Sequence, residues 1–219
     1  MDWGALIDGG AFAARELALF AATGFLILGA SDLAVDFIWI GLRLRRLASR
    51  AEPVTLATLP PPARTGRIAV FIPAWQEAAV IGPMLRHACA AWAADDLRLY
   101  VGCYPNDPDT IAAVDAVADP RIRRVIGPRP GPTTKADCLN ALWRALLVDE
   151  AAGEATFKAI VLHDAEDVVH SGEMHLFDRL IERFDLVQLP VLPLIAKRRR
   201  GVSATYADEF AEARYALTA

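Results

Sequence analysis

Apolar residues fall along this chain in one long block and then in a series of short ones. The long block runs over residues 17–31 (LALFAATGFLILGAS), uncharged and mostly apolar, and resumes after Asp32 through Phe37-Ile38-Trp39-Ile40-Gly41-Leu42. As one helix, residues 17–42 are long enough to cross a bilayer with some tilt. The short blocks begin at Ile68. Residues 68–72 are continuously apolar and closed by Pro73, the pattern of a strand buried on both faces. Val80, Ile81, Met84, Leu85 and Ala88 then recur at helical spacing within residues 78–92. Further on, the pattern predicts strands over 97–102, 122–126 and 157–162 and helices over 111–117 and 135–147, with a fifth strand over 184–191. Strand alternating with helix is the signature of a mostly parallel sheet with helices on both faces, so the expected fold class is α/β.

The breaks between blocks divide the chain. Residues 1–16 form a short leader to the apolar block, and 43–66 a basic and Pro-rich linker containing Pro53 and the run Pro60-Pro61-Pro62. Proline in series keeps a segment extended and stops a helix, so the main domain is expected over 67–219. Arg43, Arg45, Arg46 and Arg50 follow the apolar block, whereas the residues before Arg15 carry only acids. The positive-inside rule then predicts a single-pass protein of the cell inner membrane, its amino terminus outside, its main domain cytoplasmic and membrane lipid a partner. A cleaved signal peptide would carry its basic residues before the apolar stretch. Asp32 and Asp36 share one helix face and are costly at membrane depth. That cost points to other membrane helices or envelope proteins as partners, or to a helix that lies on the domain instead of spanning.

Composition narrows the classes. The chain has 219 residues, 54% hydrophobic, with a mean hydropathy of +0.28, high for a chain that never meets lipid. Its net charge of −4 argues against a general nucleic-acid partner, which calls for a basic face. Cys89, Cys103 and Cys138 are odd in number and form no Cys-x-x-Cys pair, which fits a reduced compartment and neither a disulfide framework nor a zinc site. Neither G-x-x-x-x-G-K-[ST] nor G-x-G-x-x-G occurs, which weighs against other nucleotide-binding α/β families.

The candidate chemistry sits where the fourth strand ends: His163-Asp164-Ala165-Glu166-Asp167. Ligands bind at the carboxyl ends of strands in open α/β sheets. Carboxylates crowded there raise one another's pKa unless a cation or a set of donors holds them. Mg²⁺ or Mn²⁺ is the natural cofactor, shared between one or two carboxylates and a substrate phosphate. The plain alternative is a turn in which Asp164 caps the next helix and the other acids are solvated.

Three motifs change that balance. Phe71-Ile72-Pro73-Ala74-Trp75-Gln76-Glu77, Gly131-Pro132-Thr133-Thr134-Lys135-Ala136-Asp137-Cys138-Leu139-Asn140 and Asp164-Ala165-Glu166-Asp167 stand in the order of three signatures of the family-2 glycosyltransferases. Those signatures are an opening "-IPA-x-(N/Q)-E-" loop, a "G-x-x-x-K-x-x-x-L-N" helix start and a "D-x-D" metal motif. His163–Asp167, Val187–Val191 and Asp208–Glu212 extend the resemblance to one inner-membrane branch of that family and nearly to the end of the chain. The resemblance implies a GT-A fold, a nucleotide-sugar donor and inverting transfer of the sugar to an envelope acceptor.

It also implies roles. Asp164 and Glu166 become the catalytic pair that holds the metal and orients the donor, with Asp167 beside them on the metal. Glu77 resembles the acid at the nucleoside end of the donor pocket, and Lys135 faces the diphosphate from a helix start. Asn140 is read as holding a loop, and His163 and His170 as structural. Two departures stand out. Glu166 replaces the second Asp of the metal motif. Cys103 and Tyr104 stand where the family carries an Asp pair, leaving Tyr104 to stack on a base or Asp107 to substitute in donor binding. Lys197-Arg198-Arg199-Arg200 is a solvated or headgroup-binding run, and Asp208, Glu209 and Glu212 fall on a final helix. The family's acceptor-activating acid, arginine–tryptophan element and further membrane helices are expected in a carboxyl-terminal half outside these residues. A second reading follows: a truncated, non-catalytic nucleotide-sugar-binding module of an envelope assembly.

Overall fold

The computed structural model describes residues 3–49, 56–64, 66–189 and 194. They form two compact units, the first containing the amino-terminal helix and the second spanning Val54–Gln188. Helix α1 (Trp3–Ser49) has 47 residues and is about 70 Å long, more than twice the ~30 Å hydrocarbon core of a bilayer. It overruns the expected 17–42 span at both ends, and its stretch Asp8–Arg45 is long and apolar enough to cross a membrane. Phe20, Phe25, Leu26 and Ile27 are exposed along it. Thr23 and Ser31 donate their hydroxyls to the helix's own carbonyls, Leu19 O at 2.8 Å and Leu28 O at 2.7 Å, which suits a lipid surroundings with no water to satisfy them. Arg43 lies over the Trp39 ring, 5.0 Å from its centroid.

The second unit is built on a four-stranded, all-parallel sheet in the order β3-β2-β1-β4. The strands are β1 (Arg67–Pro73), β2 (Leu97–Cys103), β3 (Ile122–Ile126) and β4 (Phe157–Leu162). Between them run α2 (Ile81–Ala91), α3 (Pro108–Asp115) and α4 (Lys135–Ala151), and α5 (Glu173–Leu180) follows β4. One face of the sheet packs Val70, Ile72, Leu99 and Val101 against Ile81, Leu85 and Ala88 of α2, Val114 of α3, Met174 of α5 and Trp92. The other packs Ala69, Phe71 and Tyr100 against Leu142 and Leu146 of α4. Each Val, Leu, Ile, Phe or Met among them, fully buried, contributes about 1.5–3 kcal/mol of transfer free energy. The helix starts are written locally: Asp107 and Thr134 accept from the backbone N–H groups of Thr110 and Asp137, the N-cap arrangement that Asp and Thr favour.

Two features fix α4 against the sheet. A Cβ on Gly102 of β2 would lie 2.3 Å from Cys138 Sγ, so the helix docks at a distance only glycine permits. At the other end Asp149, 1% exposed, accepts from Tyr100 OH at 2.7 Å and Arg98 at 3.2 Å and pairs with Arg123. That carboxylate ties the last turns of α4 to β2 and β3.

Three expectations change. Residues 184–189 carry no strand, and Pro190 and Val191 lie outside the described residues, as do the basic run 197–200 and the helix over 208–212. Helix α5, which the apolar pattern alone did not announce, has a single buried residue, Met174. The Pro-rich segment is no free tether where it is described: Leu59 is buried, and residues 56–64 are strapped to β4 and α5. Arg179 donates to Leu56 O, and Lys158 donates to Arg64 O at 3.0 Å. Glu182 accepts from Ala63 N and Arg64 N, each at 2.8 Å. Proline suits this arrangement, since it has no N–H to satisfy in a packed, extended segment.

Candidate functional site

From β1 the strand order runs outward to β2 and β3 on one side and to β4 on the other, so the connections after β1 and β4 diverge. The crevice between such strands, at their carboxyl ends, is where open α/β sheets bind ligands. A cleft of about 370 Å³ opens there, lined by Pro73, Ala74, Trp75 and Glu77 after β1 and by Asp164, Ala165 and Glu166 after β4. Tyr104, after β2, and Thr133 and Lys135, at the start of α4, complete its wall. Three chain segments far apart in sequence thus bring together Glu77, Lys135 and the pair Asp164 and Glu166.

The turn after β4 sends its residues alternately out and in. Ala165 and Val169 are buried in the core, leaving Asp164 and Glu166 to face the cleft. Asp167 turns back: its Oδ2 accepts from Asp164 N at 2.9 Å and lies 3.0 Å from His163 Nδ1. It therefore braces the turn and does not line the cleft. Asp164 does not cap the following helix either, since that position is held by Gly172. His163 is 11% exposed, with Nε2 3.0 Å from Glu173 Oε1 but misaligned for a hydrogen bond. Burial pushes its pKa down, but Glu173 and Asp167 together push it further up. His170 accepts from Gly172 N at 3.0 Å through Nδ1. Both histidines are held by the fold, as expected of them.

Lys135 sits at the first position of α4 and reaches across to pair with Asp164. Both side chains are more than half exposed, so the pair is held loosely and opens readily to an incoming ligand. Glu77 heads the turn that leads into α2, its carbonyl accepting from Val80 N and Ile81 N. Its carboxyl pKa is raised, first by burial and then by the negative charges of Glu166, Asp107 and Asp164. The cleft thus carries more negative charge than Lys135 balances. That field, with two carboxylates on one turn, fits a hard divalent cation. Among the described residues no three His, Cys, Asp or Glu side chains are gathered to hold a metal. The protein ligands would be Asp164 and Glu166, completed by oxygens of the substrate, and Asp167 is already engaged with backbone and imidazole.

The remaining candidates take different places. Asp107, 7% exposed, spends its carboxylate on backbone, accepting from Gln76 N at 2.6 Å and Thr110 N at 3.3 Å. The first of these bonds stabilises Gln76 in a left-handed conformation (φ 58°), strain of a kind that collects at functional loops. Tyr104 is 6% exposed, with its hydroxyl 2.9 Å from Thr133 Oγ1, and its ring meets Trp75 edge-on, with centroids 5.0 Å apart. Trp75, half-buried on the cleft wall, is the ring that presents a surface to a ligand. Asn140 lies outside the cleft, on the wall of a neighbouring hollow with Arg129 and Arg144. The three cysteines are free and buried; burial pushes the Cys89 thiol up to about 11 and the Cys103 thiol to about 12, so neither is a ready nucleophile.

Trp75 and Asn106, assigned no role from the sequence, meet at Gly131 beside the cleft. Asn106 grips the peptide of Gly131 from both sides, donating through Nδ2 to Gly131 O at 2.8 Å and accepting through Oδ1 from Gly131 N at 2.7 Å. Gly131 in turn lies flat on Trp75: a Cβ there would be 2.4 Å from the indole. The Asn-Asp-Pro turn after β2 and the lone glycine before Pro132 were the available signals, but only tertiary contact pairs them.

Residues 63–218 match the family described as "Glycosyltransferase like family 2". Over 97% of its length the chain is 37% identical to "Bacteriophage adsorption protein B" of Escherichia coli (strain K12). The same identity holds for "Bacteriophage N4 adsorption protein B" of Escherichia coli O157:H7. The chain spans 29% of the length of each.

Proposed function

Since this chain belongs to the family-2 glycosyltransferases, we propose that its cleft is the donor site of a membrane-anchored glycosyltransferase, which binds a nucleotide sugar with Mg²⁺ or Mn²⁺ and passes the sugar to an envelope acceptor. The observation that carries this reading is the meeting of Lys135, Asp164, Glu166 and Glu77 around one cleft at the switch point of the sheet. Breaking the bond between sugar and diphosphate leaves negative charge on the departing phosphates. A divalent cation supplies the electrostatic stabilisation such a leaving group needs. Asp164 and Glu166 would hold it. Lys135, released from Asp164, turns its ammonium to the diphosphate, aided by the free N–H groups at the start of the 17-residue α4. Trp75 offers its ring to the base, with Tyr104 buttressing it from the side, and Glu77 accepts from hydroxyls at the nucleoside end. Asp107 contributes by fixing the Gln76 backbone.

The apolar stretch of α1 anchors the enzyme in the inner membrane, and the arginines near the carboxyl end of that helix support a cytoplasmic cleft. The relatives' names support a second reading, a nucleotide-sugar-binding module in envelope assembly of the phage-adsorption type. One assay separates the two. The purified chain, incubated with a panel of nucleotide sugars and Mn²⁺, is expected to release free nucleotide from one of them, and Asp164→Asn to abolish both release and calorimetric binding. Binding without release selects the second reading. Unchanged metal-dependent binding in Asp164→Asn overturns the role given to Asp164 in either reading.

A further inference from the structure

Beneath the acid turn lies an imidazole with a carboxylate at each nitrogen. His163 follows the last residue of β4, and its backbone N–H continues the ladder to Phe71 O at 3.0 Å. The ring points inward against Trp92, with centroids 5.7 Å apart. Nδ1 lies 3.0 Å from Asp167 Oδ2 and Nε2 3.0 Å from Glu173 Oε1. The same Asp167 Oδ2 accepts from Asp164 N. Contacts therefore run unbroken from the core to the backbone of Asp164: Trp92, the His163 ring, Asp167 Oδ2, Asp164 N. Neighbouring bonds hold the rest of the turn, with Trp92 Nε1 donating to His170 O at 3.1 Å and His87 Nε2 2.9 Å from Val169 O. Each ring nitrogen of His163 faces a carboxylate of the fold, so neither faces the cleft as a metal ligand.

We infer that His163 is a positioning residue: through Asp167 it fixes the peptide of Asp164 so that Asp164 and Glu166 stand in register toward one point in the cleft, and Glu173 locks the ring from its other edge. The inference rests on the proposed role of Asp164 and Glu166 in holding a divalent cation. Groups that orient metal-binding side chains from behind typically change affinity 10- to 100-fold when removed.

The test is direct binding of Mn²⁺ alone to the full chain in detergent, read from the free-ion electron paramagnetic resonance signal, with thermal melting alongside. Asn at position 163 keeps a donor near the place of Nδ1, whereas Gln keeps one near the place of Nε2. His163→Gln is expected to weaken Mn²⁺ binding about 10-fold or more, and His163→Asn to restore it to within about threefold of the unaltered protein. Equal affinity in His163→Gln and the unaltered protein, with binding lost in Asp164→Asn, overturns the positioning role and leaves the cation site standing. Equal weakening by Asn and Gln also overturns it, since the Asp167 link then carries nothing. If the unaltered chain takes up no Mn²⁺, or Asp164→Asn binds it equally well, the cation site itself falls and the inference with it. Should His163→Gln fail to fold, Glu173→Gln is the second probe: severalfold weaker binding at an unchanged melting temperature supports the locking of the ring, and unchanged binding overturns it.

Discussion

Adding one methyl group to Gly131 perturbs the cleft wall without touching any charged group. A Cβ there would meet three ring atoms of Trp75 at 2.4, 2.6 and 2.8 Å, against 3.4 Å or more for ordinary contact. The ring and the loop must part by about 1 Å. The loop cannot readily yield, because Asn106 holds both polar groups of the Gly131 peptide. The indole yields instead, swinging away from Tyr104 into the space a base would fill. Overpacking costs about 1–3 kcal/mol in a closed core; beside an open cleft the lower end applies. Gly131→Ala is therefore expected to lower stability by about 1 kcal/mol and to weaken donor binding roughly tenfold, which corresponds to about 1.4 kcal/mol. Calorimetric titration of the best-bound nucleotide sugar with Mn²⁺ measures the second quantity, and near-UV circular dichroism follows the Trp75–Tyr104 contact. In Trp75→Ala the obstacle is gone, so the added methyl should cost almost nothing further, a strongly non-additive pair. Unaltered affinity and an unaltered near-UV spectrum in Gly131→Ala would refute the role assigned to this wall.

Two further outcomes follow from contacts away from the cleft. Asp149→Ala leaves Arg98, Arg123 and Tyr100 without their shared acceptor and is expected to destabilise the domain by about 3 kcal/mol, near the low end for breaking a buried pair because both arginines keep some exposure; urea unfolding of the variant checks it, and a loss under 1 kcal/mol speaks against the cluster's structural role. The proposed membrane anchor predicts that the chain stays with the membrane pellet on alkaline carbonate extraction, and release to the soluble fraction ends the spanning reading.

The central strands β1 and β2 were legible because both their faces are buried, and the more exposed edge strands β3 and β4 because they are short apolar blocks set off by breaks. Residues 68–73, 97–102, 122–126 and 157–162 read as strands, and the structure extends only the first two, by one residue each. The start of α4 at Lys135 was equally plain, since Thr134 caps it. Helix α5 was not, because with one buried residue it has too little apolar stripe to reveal its period. At the site, the sequence brought Glu77, Lys135, Asp164 and Glu166 forward, and the fold gathers all four. It could not separate Asp107 and Asp167, which serve the backbone, from acids that face the cleft, because that depends on where neighbouring N–H groups lie. Trp75 and Asn106 stayed hidden for a related reason: each works against Gly131, distant in sequence.

The grip of Asn106 on Gly131 reads a peptide group and no side chain. The connection between β3 and α4 is thereby pinned at a point indifferent to what the flanking positions carry. Side chains at the flanking positions can differ while the frame of the cleft keeps its span. Under the donor role proposed for the cleft, a new ligand can be met by rewriting that loop without moving its anchor.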